Sequence, residues 1–110
     1  MRCVLLLSCD RNLLYTREQI LQRAGYSTIS DTDLARGLQI AQERQPALVV
    51  IGHSFHETEQ LRFVEHLHET YPEIRVILLR YGLIEPVVLI EMCRSFLDAG
   101  PGESRVRILD

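Results

Sequence analysis

"PALVVIGHSF", residues 46 to 55, decides how this chain is read. Four apolar residues, Leu48 to Ile51, run unbroken between a proline and the pair Gly52-His53. A short, continuously apolar run with turn residues at both ends fits a strand buried on both faces, as in a parallel sheet. Such a strand delivers whatever follows it to the carboxyl edge of the sheet, and here that residue is glycine.

The same pattern recurs outward. "CVLLLS" (3–8) and "RVILL" (75–79) read as buried strands, and "YSTIS" (26–30) alternates like a shorter, more exposed one. Between them lie helical stripes. Leu13, Ile20, Leu21 and Ala24 form the first, with Asp10 or Asn12 as its cap and Gly25 as its stop. Leu34, Leu38 and Ala41 form the second, capped by Asp31 or Thr32 and closed by Gln45-Pro46. Leu61, Val64 and Leu67 form the third, closed by Tyr71-Pro72. Strands alternating with helices imply parallel pairing in an α/β sandwich. Right-handed crossovers then put helices on both sheet faces. Sites in such sheets form at the carboxyl ends of strands, here Ser8-Cys9-Asp10, Gly52-His53 and Arg80-Tyr81.

Past Gly82 the pattern loosens. "EPVVLIEMCRSFL" (85–97) is helical by length, with Pro86 in its first turn, but Val88, Ile90/Glu91 and Phe96 leave its inner face open. "DAGPGES" is a loop, and "RVRIL" (105–109) is either a fifth strand or a flexible tail, so residues 98–110 carry both readings.

With 110 residues the chain suffices for one domain, 1–110, and not two. A net charge of −3 supplies no general attraction to nucleic acid, and no helix-turn-helix segment is seen. No apolar run approaches the ~18 residues of a membrane span. The stretch after Met1 lacks a small-residue cleavage site, so it reads as a strand, and the chain as cytoplasmic. All 12 basic residues are arginine, which excludes a Schiff-base or phosphate-binding lysine. Cys3, Cys9 and Cys93 are too few and too scattered for a disulfide framework. No G-x-G-x-x-G or P-loop is present, so no nucleotide or flavin cofactor is expected.

Cys9, Asp10, His53 and His56 are the candidate ligands for a tetrahedral zinc site. As plain structure they are a small thiol at a strand end, a helix cap and two loop histidines, and no metal is expected. Cys9 is also the candidate reactive thiol, which an adjacent helix N-terminus would activate and Asp10 would oppose. His66 and His68, two apart on one helix, point to different faces.

The order of elements, together with "VLLLSCDRNLLYTREQILQRAGYSTIS", "DLARGLQIAQERQPALVVIG" and "YPEIRVILLRYG", resembles a response-regulator receiver domain, the flavodoxin-like (CheY-like) module of two-component signalling. The likeness runs from Val4 to Gly82 without a gap. It implies a three-layer sandwich around a central parallel sheet. It also implies a catalytic set that this chain lacks. Receivers carry two acidic residues after the first strand to hold Mg²⁺, and Ser8 and Cys9 stand in those places. The phosphoacceptor aspartate is matched by Gly52, the switch serine or threonine by Arg80, and the lysine after the fifth strand by nothing.

The C-terminal part is shortened or rearranged against that pattern. Either 85–97 is the fourth helix and "RVRIL" the fifth strand, or those two elements are deleted and 85–97 is the last helix. Its likeness to the family's last helix favours the deletion. The expectation is a non-catalytic pseudo-receiver that works in signal transduction by contact with a kinase, a transcription factor or a second copy of itself. It would form a two-fold dimer through the fourth strand and the 85–97 helix. The alternative is a small metal- or thiol-dependent protein using Cys9, His53 and His56.

Overall fold

In the computed structural model, which describes residues 2–100, 102 and 104–109, the elements alternate as the patterning requires. They are β1 (Cys3–Leu7), α1 (Arg11–Arg23), β2 (Ser27–Asp31), α2 (Leu34–Arg44), β3 (Leu48–Ile51), α3 (Glu57–Thr70), β4 (Arg75–Leu79), α4 (Pro86–Leu97) and β5 (Val106–Leu109). The five strands make one sheet in the order β2-β1-β3-β4-β5, and every neighbouring pair is parallel. Among the described residues no helix is long and apolar enough to cross a membrane.

Alternate residues of the central strands feed two cores. Val4, Leu6, Leu48, Val50, Ile77 and Leu79 pack with Leu14 and Leu21 of α1 and with Leu89, Cys93, Phe96 and Leu97 of α4. Leu5, Leu7, Val49, Ile51, Val76 and Leu78 pack with Ala41 of α2 and Phe63, Val64 and Leu67 of α3. The period of two along each strand therefore sorts the helices into an α1/α4 layer and an α2/α3 layer.

Several expectations need correction in register. The buried stripe of α1 is Leu14, Arg17 and Leu21, and Leu13 is only half-buried. Asp33, not Asp31 or Thr32, caps α2, its carboxylate accepting from Ala35 N at 2.9 Å. Asp31 instead accepts from Asp33 N at 2.9 Å, one step earlier in the same turn. Leu61 is exposed at 42%, because the inner face of α3 is set by Gln60, Phe63, Val64 and Leu67. Two stops behave as expected: Gly25 takes φ +98°, and Gln45 enters the left-handed region at φ 45° just ahead of Pro46.

The C-terminal part keeps the element order of the first version, with 85–97 as the fourth helix and β5 as the fifth strand, and overturns the favoured deletion. "RVRIL" supplies a strand, so the fifth strand is not deleted; Pro101, Glu103 and Asp110 of the predicted loop and tail lie outside the described residues. What the sequence does not anticipate is the sheet face on which α4 packs. The crossovers β1–α1–β2, β2–α2–β3 and β3–α3–β4 share one hand, because direction across the sheet and helix layer switch together. β4–α4–β5 continues in the direction of β3–α3–β4 but carries its helix on the α1 face. Its hand is opposite, hence left-handed against a rule obeyed in about 98% of such units. Packing explains the choice. Leu89, Cys93, Phe96 and Leu97 cover the part of the sheet beside α1 that would otherwise lie bare. The opposite side of β5 pays for it, leaving Ile108 46% exposed.

Candidate functional site at the carboxyl edge of the sheet

The carboxyl ends of β1, β3 and β4 converge as the sequence implies, and they bring Ser8, Cys9, Gly52 and Arg80 to one edge. At the end of β1, Asp10 caps α1, its carboxylate accepting from Asn12 N at 2.9 Å and Leu13 N at 3.1 Å. This carboxylate is committed to the helix terminus, where the dipole favours it. Ser8 is fully buried; its hydroxyl accepts from Asp10 N at 3.1 Å and lies 3.3 Å from the Ser54 hydroxyl. Ser54 Oγ also accepts from Cys9 N at 2.9 Å, which ties the β1 and β3 ends together.

Gly52 is the hinge of the site. Its amide donates to Leu7 O at 2.7 Å. A Cβ placed there would lie 3.1 Å from Arg17 Nη1, 3.1 Å from Leu7 O and 3.2 Å from Ser8 Cβ. The room a side chain at 52 would use is therefore taken by a guanidinium. Arg17 reaches it from α1, is only 4% exposed, and donates from Nη2 to Gly82 O at 3.3 Å. Burial pushes the Arg17 pKa down, and the nearby Asp10 charge offsets this in part. The loop between β4 and α4 closes over the same place. Gly82 sits so near His53 that a Cβ there would meet the imidazole at 2.7 Å.

On the β4 side, Gln60 is fully buried and joins two strand ends. Its Nε2 donates to Gly52 O at 3.0 Å and to Leu79 O at 3.3 Å. Its Oε1 accepts from Arg80 Nη1 at 2.6 Å, and Arg80 Nη2 lies 3.5 Å from Glu57 Oε1. The result is a fixed, half-buried cation above β4. A polar recess of about 290 Å³ beside it is lined by His53, Ser54, His56, Glu57, Gln60 and Arg80, with Phe55 and Leu79 at its floor.

The described residues hold no group of three or more His, Cys, Asp or Glu side chains able to share a metal ion. Cys9, Asp10, His53 and His56, the candidate zinc ligands, are not gathered into such a group. Asp10 is spent on its cap, and His56 begins α3, its amide held by Glu59 Oε1 at 3.1 Å. The donors do not fit Mg²⁺ either. A hard divalent ion needs oxygen anions, whereas the carboxylates at this edge are engaged, Asp10 as the α1 cap and Glu57 beside Arg80. The other groups are a buried hydroxyl, a thiol, a glycine and two guanidinium groups. Of the other predicted residues, His68 is bonded to Ile74 O at 2.7 Å and His66 is exposed on α3. Cys93 is buried, with its thiol pushed up to about 12 by burial, and serves as a small apolar filler.

Arg17 and Gln60 are the two residues sequence reasoning missed. Both sit in line with their helix's apolar stripe: Arg17 lies three after Leu14 and four before Leu21, and Gln60 three before Phe63. A long polar residue inside such a stripe is the signal that was there to read. Neither can be solvated in that position, so each must reach a partner at the sheet edge.

Comparison with solved structures decides the fold. A CheY-like receiver domain protein from Methanospirillum hungatei superposes with a TM-score of 0.80 at 19% identity, over 89% of this chain and 94% of that one. The response regulator is built on this fold, and so is the present chain: it has the receiver fold. The chemotaxis regulator CheY4 of Vibrio cholerae matches the receiver fold at a TM-score of 0.78 and 15% identity, over 86% of this chain and 98% of its own. By sequence, the chain is 32% identical over 88 residues to the photosynthetic apparatus regulatory protein RegA of Rhodobacter capsulatus. That match covers 79% of this chain and 48% of RegA, so the chain spans about half the length of this curated relative. No family model matches the chain.

Proposed function

We propose that this chain is a receiver-type signalling domain, residues 1–110, that acts by protein contact and does not accept a phosphoryl group. The observation that carries the reading is the Arg17 guanidinium in the room over Gly52. Aspartyl phosphorylation needs a carboxylate nucleophile and a divalent cation to neutralise the phosphoryl oxygens. Gly52 supplies no nucleophile, and Ser8 and Cys9 supply no ligand pair. A cation is nevertheless built in permanently, from Arg17 on one side and Arg80 on the other. On this reading the edge is an arginine-filled remnant of a phosphorylation site, and the domain is not an enzyme.

Arg17 also does something with that charge. By holding Gly82 O it fixes the β4–α4 loop in one position. The loop and the start of α4 then display Tyr81 at 42%, Leu83 at 92%, Val87 at 68% and Val88 at 41% exposure. Four large apolar side chains within eight residues are what a contact surface offers. The partner is a cytoplasmic signalling protein, either a kinase, a transcription factor or a second copy of this chain. The second copy is the one the sequence predicts, as a two-fold dimer through β4 and α4. The regulatory role named for RegA agrees with a signalling setting.

Light scattering on the purified chain at tens of micromolar tests self-association, since weak dimers have dissociation constants on the order of that concentration. A dimer that dissociates on Leu83→Asp or Val87→Asp substitution supports the surface. A monomer throughout that range removes the second copy as the partner.

A further inference from the structure

We propose that in the self-associated protein the slot beside β4 is filled by β5 of a second copy, so that the two chains exchange their C-terminal strands. The inference rests on the self-association reading above and adds how the contact is made.

The first support is the hand of the last crossover. The slot itself is good: β4 and β5 pair in register from Val76↔Val106 to Leu79↔Leu109. Val76 N donates to Arg105 O at 2.9 Å and Arg80 N to Leu109 O at 3.1 Å. What is unfavourable is the path that a single chain takes to reach it, since a left-handed connection between adjacent parallel strands is rarely tolerated. Exchange keeps every β4–β5 contact and removes the requirement that α4 and β5 be joined across one sheet. It also keeps a contact between β5 and α4, where the Arg107 guanidinium lies 4.4 Å from the Phe96 ring centroid.

The second support is that α4 stays in place without β5. Its inner residues Leu89, Cys93, Phe96 and Leu97 are buried against α1 and the sheet. Its end is gripped by Arg75, which donates to Leu97 O at 3.1 Å and to Ala99 O at 2.7 Å. The chain can therefore depart just after Ala99. The connecting residues are "GPGESR", 100 to 105. At ~3.3–3.6 Å per residue six of them reach about 20 Å, enough to leave one molecule and enter the next. Strand exchange costs little because the contacts broken and made are identical.

The test is a disulfide across the slot in the full-length chain. Leu78 and Ile108 are register partners whose side chains share the α2/α3 face. Neighbouring strands lie about 4.8 Å apart, inside the span a disulfide accepts. With Cys9→Ser removing the exposed thiol, Leu78→Cys/Ile108→Cys is oxidised and the associated fraction is run without reductant. A covalent dimer is expected. Bridges formed only within single chains, in a fraction that is dimeric by light scattering, would overturn the exchange while leaving self-association standing. A monomer throughout would remove both. Should the double variant fail to fold, wild-type chain in a mixed-isotope sample gives the same answer. Isotope-filtered contacts between β4 and β5 must then run between chains, and their absence from the dimer refutes the exchange.

Discussion

Replacing Arg17 by methionine separates the role of its charge from the role of its bulk. Methionine refills the apolar length of the side chain but cannot reach Gly82 O, which Arg17 Nη2 holds at 3.3 Å. A hydrogen bond from a charged donor contributes about 1.5–3 kcal/mol. At about 1.4 kcal/mol per factor of ten, the population of the opened β4–α4 loop should rise roughly 10- to 150-fold. Global stability should move differently. The guanidinium is 4% exposed, burial already depresses its pKa, and Asp10 acts on it only through space while capping α1. Exchanging a poorly paired buried cation for an apolar group is neutral or stabilising by up to about 4 kcal/mol. The variant should therefore keep or raise its unfolding midpoint while its loop loosens. Chymotrypsin reads the loop at Tyr81, which is 42% exposed, under conditions where opening is fast relative to cleavage. Faster cleavage there, at unchanged or higher global stability, is the expected result. An unchanged cleavage rate would refute the clamp, and a parallel loss of global stability would show that Arg17 is structural glue only.

Two glycines should respond differently to the same substitution. At Gly37 a Cβ would meet the Leu7 side chain at 2.5 Å, and Leu7 is enclosed at 1% exposure. Gly37→Ala should lose about 1–2 kcal/mol in urea unfolding, because overpacking outweighs the ~1 kcal/mol gained in helix propensity. At Gly82 the obstacle is the exposed His53 ring, which can swing aside, so Gly82→Ala should change stability by less than about 0.5 kcal/mol. Alkaline pH should expose Cys93. Its folded pKa is raised from 9.0 to about 12, so the unfolded thiol ionises first and stability falls as pH climbs through that window. The ceiling is about 4 kcal/mol at 1.36 kcal/mol per unit. Cys93→Ala should lower stability at neutral pH and flatten the decline between pH 9 and 12; an equal slope would place the titrating group elsewhere.

The central sheet was legible because fully buried parallel strands leave an unmistakable mark. Leu48–Ile51 and Val76–Leu79 are apolar without interruption, and no surface helix of that length would be. Helix faces were less legible. Leu13 and Leu14 are both apolar, and only tertiary packing chooses between them; Leu61 loses to Phe63 for the same reason. The strand ends are legible in the same way, and Ser8, Cys9, Gly52 and Arg80 stand just beyond them. What fills the gap was not found, because an arginine on a helix reads as a solvated residue until a neighbouring glycine empties the space it can enter. The position of α4 was unreadable for a different reason. Its hydrophobic pattern shows that a face is buried, but nothing local to residues 85–97 says which side of the sheet needs covering.

The most direct test of the central claim is intact mass of the purified chain after incubation with acetyl phosphate and Mg²⁺. An edge occupied by Arg17 and lacking a carboxylate at position 52 should gain no phosphoryl group at any exposure time. A stoichiometric phosphoryl adduct, above all one mapping to Asp10, would show that the edge still binds the cation and performs the chemistry, and would contradict the account.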